Sequence, residues 1–113
     1  MNPNLITAIT RSQAGIVVHL HGEIDLHRSP EFHTAVSSLL AEKPLRLVLN
    51  LSDVDYMDSS GVGTLVDAFR RIRRHNGRLF LVAPSQRVRS VLEITKLDQF
   101  FAICTSDMEA LES

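Results

Sequence analysis

Residues 45–63 read LRLVLNLSDVDYMDSSGVG, and this stretch decides the fold. Its first part, Leu45–Leu51, is apolar apart from two polar interruptions, which is typical of a strand near the centre of a sheet. Aspartates, serines and glycines follow, and from Val62 onward the apolar residues recur with the spacing of a helix. A buried strand that leads directly into a helix predicts an α/β unit.

The segments on both sides repeat this alternation. Two segments rich in β-forming residues, 5–10 and 16–20, flank a turn and predict an opening hairpin. An amphipathic helix with Ser29 as its N-cap follows, and Pro44 marks its end. Further along, the sequence predicts a helix at 59–75, a strand at 79–82, a helix from Ser85 through Leu92, a strand at 100–104 and a short helix at 107–111. We therefore predict an α/β fold with a mixed central sheet of about five strands packed with about four helices, in a single domain over residues 1–113.

The composition is that of an ordinary globular domain, with 113 residues, 44% of them hydrophobic and 22% charged. The net charge of −1 at pH 7 provides no general attraction for a nucleic acid. The single Cys104 excludes an internal disulfide and any multi-cysteine metal site. No Lys or Arg precedes Arg11, and no apolar run approaches the ~20 residues that span a bilayer. We expect a cytoplasmic protein with no membrane segment, metal or cofactor.

The densest group of polar residues lies between the strand and the second helix. The simplest interpretation is structural: Asp58 or Ser59 caps the helix, while Gly61 and Gly63 allow close packing in its first turn. A cap needs only one polar residue, however, and this segment contains the three aspartates and two serines Asp53, Asp55, Asp58, Ser59 and Ser60. A serine at a helix start is also suited to modification, because the free amides and the helix dipole favour an added anion by about 0.3–1 kcal/mol.

Three segments carry a resemblance that covers nearly the whole chain. They are LVLNL at 47–51 followed by YMDSSGVG at 56–63, GEID at 22–25, and APS at 83–85 followed by LEITKLD at 92–98. Together they resemble the anti-sigma factor antagonist family, the bacterial members of the STAS domain superfamily.

The resemblance implies that Ser59 is phosphorylated by an anti-sigma factor that is also a serine kinase. The unphosphorylated antagonist would bind this kinase and thereby free a sigma factor, and a metal-dependent serine phosphatase would reset the switch. Asp58, Ser60 and Gly61 would shape the loop that the kinase recognises. Asp25 matches a family position near this loop, but it could equally be a cap or turn residue. The chain would be a kinase substrate without catalytic activity, and a monomer or weak dimer.

Three other functions are alternatives to this one. A hydrolytic triad built on Ser59 or Ser60 lacks the glycine that a nucleophile elbow needs two residues before the serine. A receiver domain would carry phosphate on Asp53 or Asp55 beside Mg²⁺, but the opening hairpin argues against its topology. A non-switching STAS subunit of a stress-signalling complex or a lipid-transport ATPase remains the alternative, with Ser59 acting only as a cap.

Two further groups of charged or titratable residues are ambiguous in the sequence. The basic run Arg70, Arg71, Arg73 and Arg74 on the second helix is interpreted as a solvated face, or as a surface for an acidic patch on a partner. The histidines at 19, 21, 27 and 33 are interpreted as structural or surface residues, because the sequence does not predict that they converge.

Overall fold

Helices and strands alternate along the chain after an opening pair of strands. The computed structural model describes residues 4–113. Residues 1–3 belong to the N-terminal stretch in which the sequence predicts no export signal, and they lie outside the described residues. The elements are β1 (Ile6–Ser12), β2 (Gly15–Ile24), α1 (Ser29–Leu40), β3 (Arg46–Met57), α2 (Ser59–Arg73), β4 (Arg78–Val82), α3 (Gln86–Ile94), β5 (Ala102–Cys104) and α4 (Asp107–Leu111).

The five strands form one sheet in the order β1-β2-β3-β4-β5. The opening pair β1 and β2 is antiparallel, and each later strand pairs parallel to the one before it. The strand that opens the deciding stretch, β3, therefore lies at the centre, and its residues from Leu47 through Leu51 are all buried. The predicted α/β fold with a mixed five-stranded sheet and four helices is confirmed.

The two faces of the sheet are covered unequally. Leu47, Leu49 and Leu51 belong to the main core, which also contains the buried residues of α1, α2 and α3. Val48 points the other way, into a smaller cluster whose only buried helical residue is Ala110 of α4. The short helix α4 thus covers part of the second face. Helix α2 packs on the first face, and its N-terminus lies at the carboxyl end of β3.

The central strand is longer than predicted. Asp53 and Asp55, which are predicted to lie in a loop between the strand and the second helix, instead lie within β3 as exposed residues. Val54, between them, and Met57, after them, are buried. The extension forms because β2 also continues, through Gly22 to Ile24, and pairs with this part of β3. The register of the pair shifts twice along this extension. The aspartates therefore lie on the solvent side of a strand instead of lining a loop.

Two helix boundaries also differ from the prediction. The N-cap of α1 is Arg28, not Ser29, and the Ser29 hydroxyl instead donates to the carbonyl oxygen of Ser60, 3.3 Å away. Helix α2 ends at Arg73, four residues before Gly77, whose amide closes the terminus by donating to the carbonyl oxygen of Ile72 at 2.9 Å. The residue that takes the left-handed conformation there is Asn76, with φ of 65°.

Candidate functional site

The carboxyl ends of β2 and β3 meet the N-terminus of α2, and all five residues predicted from the resemblance lie there. The Asp58 amide donates to the carbonyl oxygen of Ile24 at 3.2 Å, which ties the end of β3 to the end of β2. The hydrogen bond from Ser29 to Ser60 ties the start of α1 to the first turn of α2. The loop that contains Asp25 is therefore held beside the serines.

Asp58 is the N-cap of α2, which decides between the two caps that the sequence allowed. Its carboxylate accepts from the amides of Ser60 at 2.9 Å and Gly61 at 3.4 Å, and from the Ser60 hydroxyl. The bond from this hydroxyl is the largest cause of a lowered pKa of the Asp58 carboxyl. The amides of Ser60, Gly61 and Leu26 lower that pKa further, while partial burial opposes them. Asp58 is therefore a charged cap at neutral pH.

Replacing Asp58 by alanine is expected to lower the free energy of unfolding by about 1 kcal/mol at pH 7, because two amides lose their acceptor. The lowered pKa means that the ionised cap stabilises the fold above the unfolded value of about 3.9, and that this stability is lost as the pH falls through the folded value. Urea unfolding at several pH values should show that the difference in unfolding free energy between wild type and Asp58→Ala becomes smaller below about pH 4. Asp58→Asn, which keeps a capping oxygen without a charge, should lose less unfolding free energy at pH 7 than Asp58→Ala does. A loss in Asp58→Ala that does not change with pH would contradict the charged cap.

The two adjacent serines have different environments. Ser59 is the first residue of α2 and is exposed, and its hydroxyl forms no hydrogen bond within residues 4–113. Ser60 is half-buried, and both its amide and its hydroxyl donate to Asp58. A reagent or enzyme approaching from solvent can reach the Ser59 hydroxyl directly, whereas reaction at Ser60 would remove a hydrogen bond to the cap.

The glycines of the first turn also differ. Gly61 is buried, and a Cβ atom there would lie 2.5 Å from Cγ of Met57 and 3.0 Å from Cγ2 of Ile24. The absence of a side chain lets α2 pack directly on the ends of β2 and β3. At Gly63 a Cβ atom would meet nothing within 4 Å. The prediction of close packing is thus confirmed for Gly61 and wrong for Gly63.

Asp25 organises the turn that follows β2. Its side chain accepts from the amides of His27 at 3.0 Å and Arg28 at 3.1 Å, and its carbonyl oxygen accepts from the Ser29 amide at 2.8 Å. Of the two roles weighed for Asp25, the structure shows the turn residue, and contact with a partner stays a prediction.

Sequence reasoning missed one residue of this site. Leu26 follows Asp25 and is 71% exposed, although it is a large apolar side chain. Its amide is close enough to the Asp58 carboxylate to lower the pKa of that carboxyl, which places the leucine near the α2 N-terminus. The signal that could have revealed it is an isolated leucine within the polar segment DLHR at 25–28.

The residues of the rival chemistries are dispersed. Within the described chain, no three His, Cys, Asp or Glu side chains are grouped to hold a metal ion. His19 instead lies 2.7 Å from Asp107 of α4, and His33 lies 3.4 Å from Asp67 of α2. Both histidines therefore connect elements of the fold, as a structural role predicts.

Comparison with known proteins gives consistent matches over most of the chain. The STAS domain family model matches residues 6–110. The anti-sigma-B factor antagonist of Listeria monocytogenes is 33% identical over 88 residues, which are 78% of this chain and 77% of that protein. Within residues 4–113, no helix has the length and apolar character that crossing a membrane requires.

Two solved structures are similar to this fold. An anti-sigma factor antagonist from Mycobacterium paratuberculosis has a TM-score of 0.84 and 28% identity, with 95% of this chain and 92% of that chain covered. The anti-sigma factor antagonist SpoIIAA in its unphosphorylated form has a TM-score of 0.77 and 27% identity, with 95% and 91% covered.

Proposed function

The chain belongs to the STAS domain family, and on that premise we propose that it is an anti-sigma factor antagonist switched by phosphorylation of Ser59. In the unphosphorylated state it binds an anti-sigma factor that is also a serine kinase, and so releases a sigma factor. The kinase then phosphorylates Ser59, and a metal-dependent serine phosphatase restores the binding state. The chain itself is a substrate and a binding protein, without catalytic activity.

The difference between the two serines is the observation that carries the proposal. Ser59 combines an exposed position with a hydroxyl that has no hydrogen-bond partner in the described chain, while the Ser60 hydroxyl is engaged by Asp58. A kinase that reads this segment therefore finds one available acceptor. The name of the SpoIIAA structure, which specifies an unphosphorylated form, is in keeping with such a modification in a relative.

The electrostatics of the site account for a switch that leaves the fold intact. A phosphate on Ser59 adds about −1.5 to −2 charges at the start of α2, where the helix dipole tolerates an anion. The same phosphate lies beside Asp58, whose lowered pKa keeps it charged. The helix therefore remains capped while the exposed surface becomes strongly negative, which repels a partner that bound the neutral serine.

The phosphate acceptor can be tested with matched alanine variants. Wild-type protein, Ser59→Ala and Ser60→Ala are incubated with ATP and lysate of the source cell, and the modified residue is mapped by mass spectrometry. We expect phosphate on Ser59 in the wild type and in Ser60→Ala, and none in Ser59→Ala. Phosphate on Ser60, a base-labile phosphate on Asp53 or Asp55, or no phosphate at all would overturn the proposal.

Leu26 is expected to anchor the kinase, because an exposed leucine near the N-terminus of α2 gives the partner an apolar contact to bury. Leu26→Ser should weaken kinase binding by about tenfold while leaving the unfolding midpoint unchanged. The control is Met108→Ser, since Met108 is similarly exposed, at 68%, and lies on α4. Titration calorimetry with the purified kinase measures both, and equal affinity for wild type and Leu26→Ser would remove Leu26 from the interface.

A further inference from the structure

A second exposed surface lies near the C-terminal end of α2, away from the Ser59 site. We call it the Phe100 surface and define it by Phe69, Arg70, Arg73, Arg78 and Phe100. Two hollows, of about 190 Å³ and about 350 Å³, adjoin one another there and share Phe69 and Phe100 as walls. Fourteen residues separate Ser59 from Arg73 along α2, a distance of about 21 Å at the rise of a helix.

The aromatic part of the Phe100 surface is fixed in position but incompletely covered. Phe69 packs edge-to-face on Phe101, with ring centroids 5.7 Å apart, and Phe101 is only 6% exposed. Phe100 is 62% exposed, and it lies before β5 instead of within it as the sequence predicted. A large ring is thus held in solvent next to a rigid apolar floor.

The polar part of this surface is entirely basic. Arg70, Arg73 and Arg78 line the hollows, and none of the described residues that line them is acidic. In the part of the chain that the structure describes, none of these three arginines forms an ion pair. The Arg73 guanidinium lies 5.2 Å from the centroid of the Phe69 ring, so cation and aromatic floor are adjacent.

The neighbouring arginine shows that the basic run has two separate roles. Arg71 donates to the Ser37 hydroxyl at 2.8 Å and lies 3.3 Å from Asp67, so it connects α2 to α1. Arg70 and Arg73 have no such partner among residues 4–113 and line the hollows instead. Within the basic run, Arg71 therefore has a structural role, whereas Arg70 and Arg73 are exposed to solvent.

We propose that the Phe100 surface binds an acidic segment of a partner protein, with an apolar side chain against Phe100 and carboxylates on Arg70 and Arg73. The charge complementarity identifies the occupant, because the exposed arginines attract anions and the hollow lined by Val66, Leu97 and Phe101 suits an apolar group. A peptide supplies both within a few residues. A net charge of −1 and only three arginines at this surface make a nucleic acid or a membrane a poorer match.

The inference goes beyond the proposed switch, since the two surfaces are separated by more than the Debye length of about 8 Å at physiological ionic strength. A partner on the Phe100 surface would therefore remain bound in both states of Ser59. The chain could then hold one protein constantly while exchanging another.

A random peptide display library selected on the full wild-type chain tests this proposal without any kinase. We expect enriched peptides that carry Asp or Glu around an aromatic or aliphatic residue, with affinity that falls as salt is raised. Phe100→Ser should weaken their binding by about tenfold and the double variant Arg70→Gln, Arg73→Gln by about fivefold, while Met108→Ser serves as the matched exposed control. Thermal unfolding of each variant verifies that it is folded.

Several results would overturn the proposal. Failure to enrich peptides, enrichment without an acidic bias, or peptides that bind Phe100→Ser as well as wild type would each remove the acidic segment from this surface. Two further probes, a single-stranded dT oligonucleotide and vesicles of phosphatidylcholine with phosphatidylglycerol, complete the comparison. Binding of either probe that depends on Phe100 and exceeds peptide binding would replace the protein partner by a nucleic acid or a membrane.

Discussion

Ser59→Asp is expected to abolish capture of the anti-sigma factor kinase, whereas Ser59→Ala retains it. The aspartate adds one fixed negative charge next to the ionised Asp58 at the start of α2. A partner that covered a neutral hydroxyl would then have to desolvate two adjacent carboxylates that repel each other, which we expect to weaken binding by roughly a hundredfold, about 2.7 kcal/mol. Alanine removes only an exposed hydroxyl without a hydrogen bond, so binding persists.

The measurement is a pull-down from lysate of the source cell with wild type and both variants, followed by mass spectrometry. Ser38→Asp is the control, because Ser38 is also exposed but lies toward the far end of α1 from Ser29. It introduces the same charge and should capture the kinase as wild type does. If Ser59→Ala and Ser59→Asp instead capture the same assembly equally, the chain is a non-switching STAS subunit of that assembly.

Alanine substitutions at Gly61 and at Gly63 are expected to change the free energy of unfolding in opposite directions. Gly61→Ala should lower the free energy of unfolding by about 1–2 kcal/mol, because its Cβ would overlap Met57 and press on Ile24. Gly63→Ala should raise it by about 0.5–1 kcal/mol, because alanine favours the helix and the site is open. The unfolding free energies of the two variants are therefore expected to differ by about 1.5–3 kcal/mol.

Urea denaturation of the three proteins at one pH measures this difference directly. Each glycine is changed to the same residue in the same helical turn, so helix propensity alone predicts equal stabilisation. Equal unfolding free energies for the two variants would mean that Met57 moves aside and that α2 does not depend on a glycine to reach the sheet.

The elements that the sequence predicted are those whose pattern is local. The apolar run from Leu47 to Leu51 marks β3, and Ser85 caps α3 by accepting from the Val88 amide at 3.3 Å. The extension of β3 past Asp53 could not be foreseen, because it depends on pairing with a continuation of β2 that lies more than thirty residues earlier, a contact between distant segments.

The exposure of single apolar residues was also beyond the sequence. Leucine and phenylalanine are typical core residues, and only the packing around Leu26 and Phe100 determines that their side chains are exposed. The two serines likewise look alike in the sequence, and it is the Asp58 carboxylate, turned toward Ser60, that makes them different. The position of the Ser59 site was thus predicted from the sequence, whereas the difference between its two serines and the Phe100 surface became visible only through the tertiary contacts.

The most direct test of the switch compares the affinity of the purified kinase for the unphosphorylated chain and for the chain phosphorylated on Ser59. Isothermal titration of each form, with circular dichroism to verify that both are folded, supplies the comparison. The account predicts that phosphorylation weakens binding by at least tenfold, roughly 1.4 kcal/mol, without loss of structure. Equal affinity of the two folded forms would contradict it.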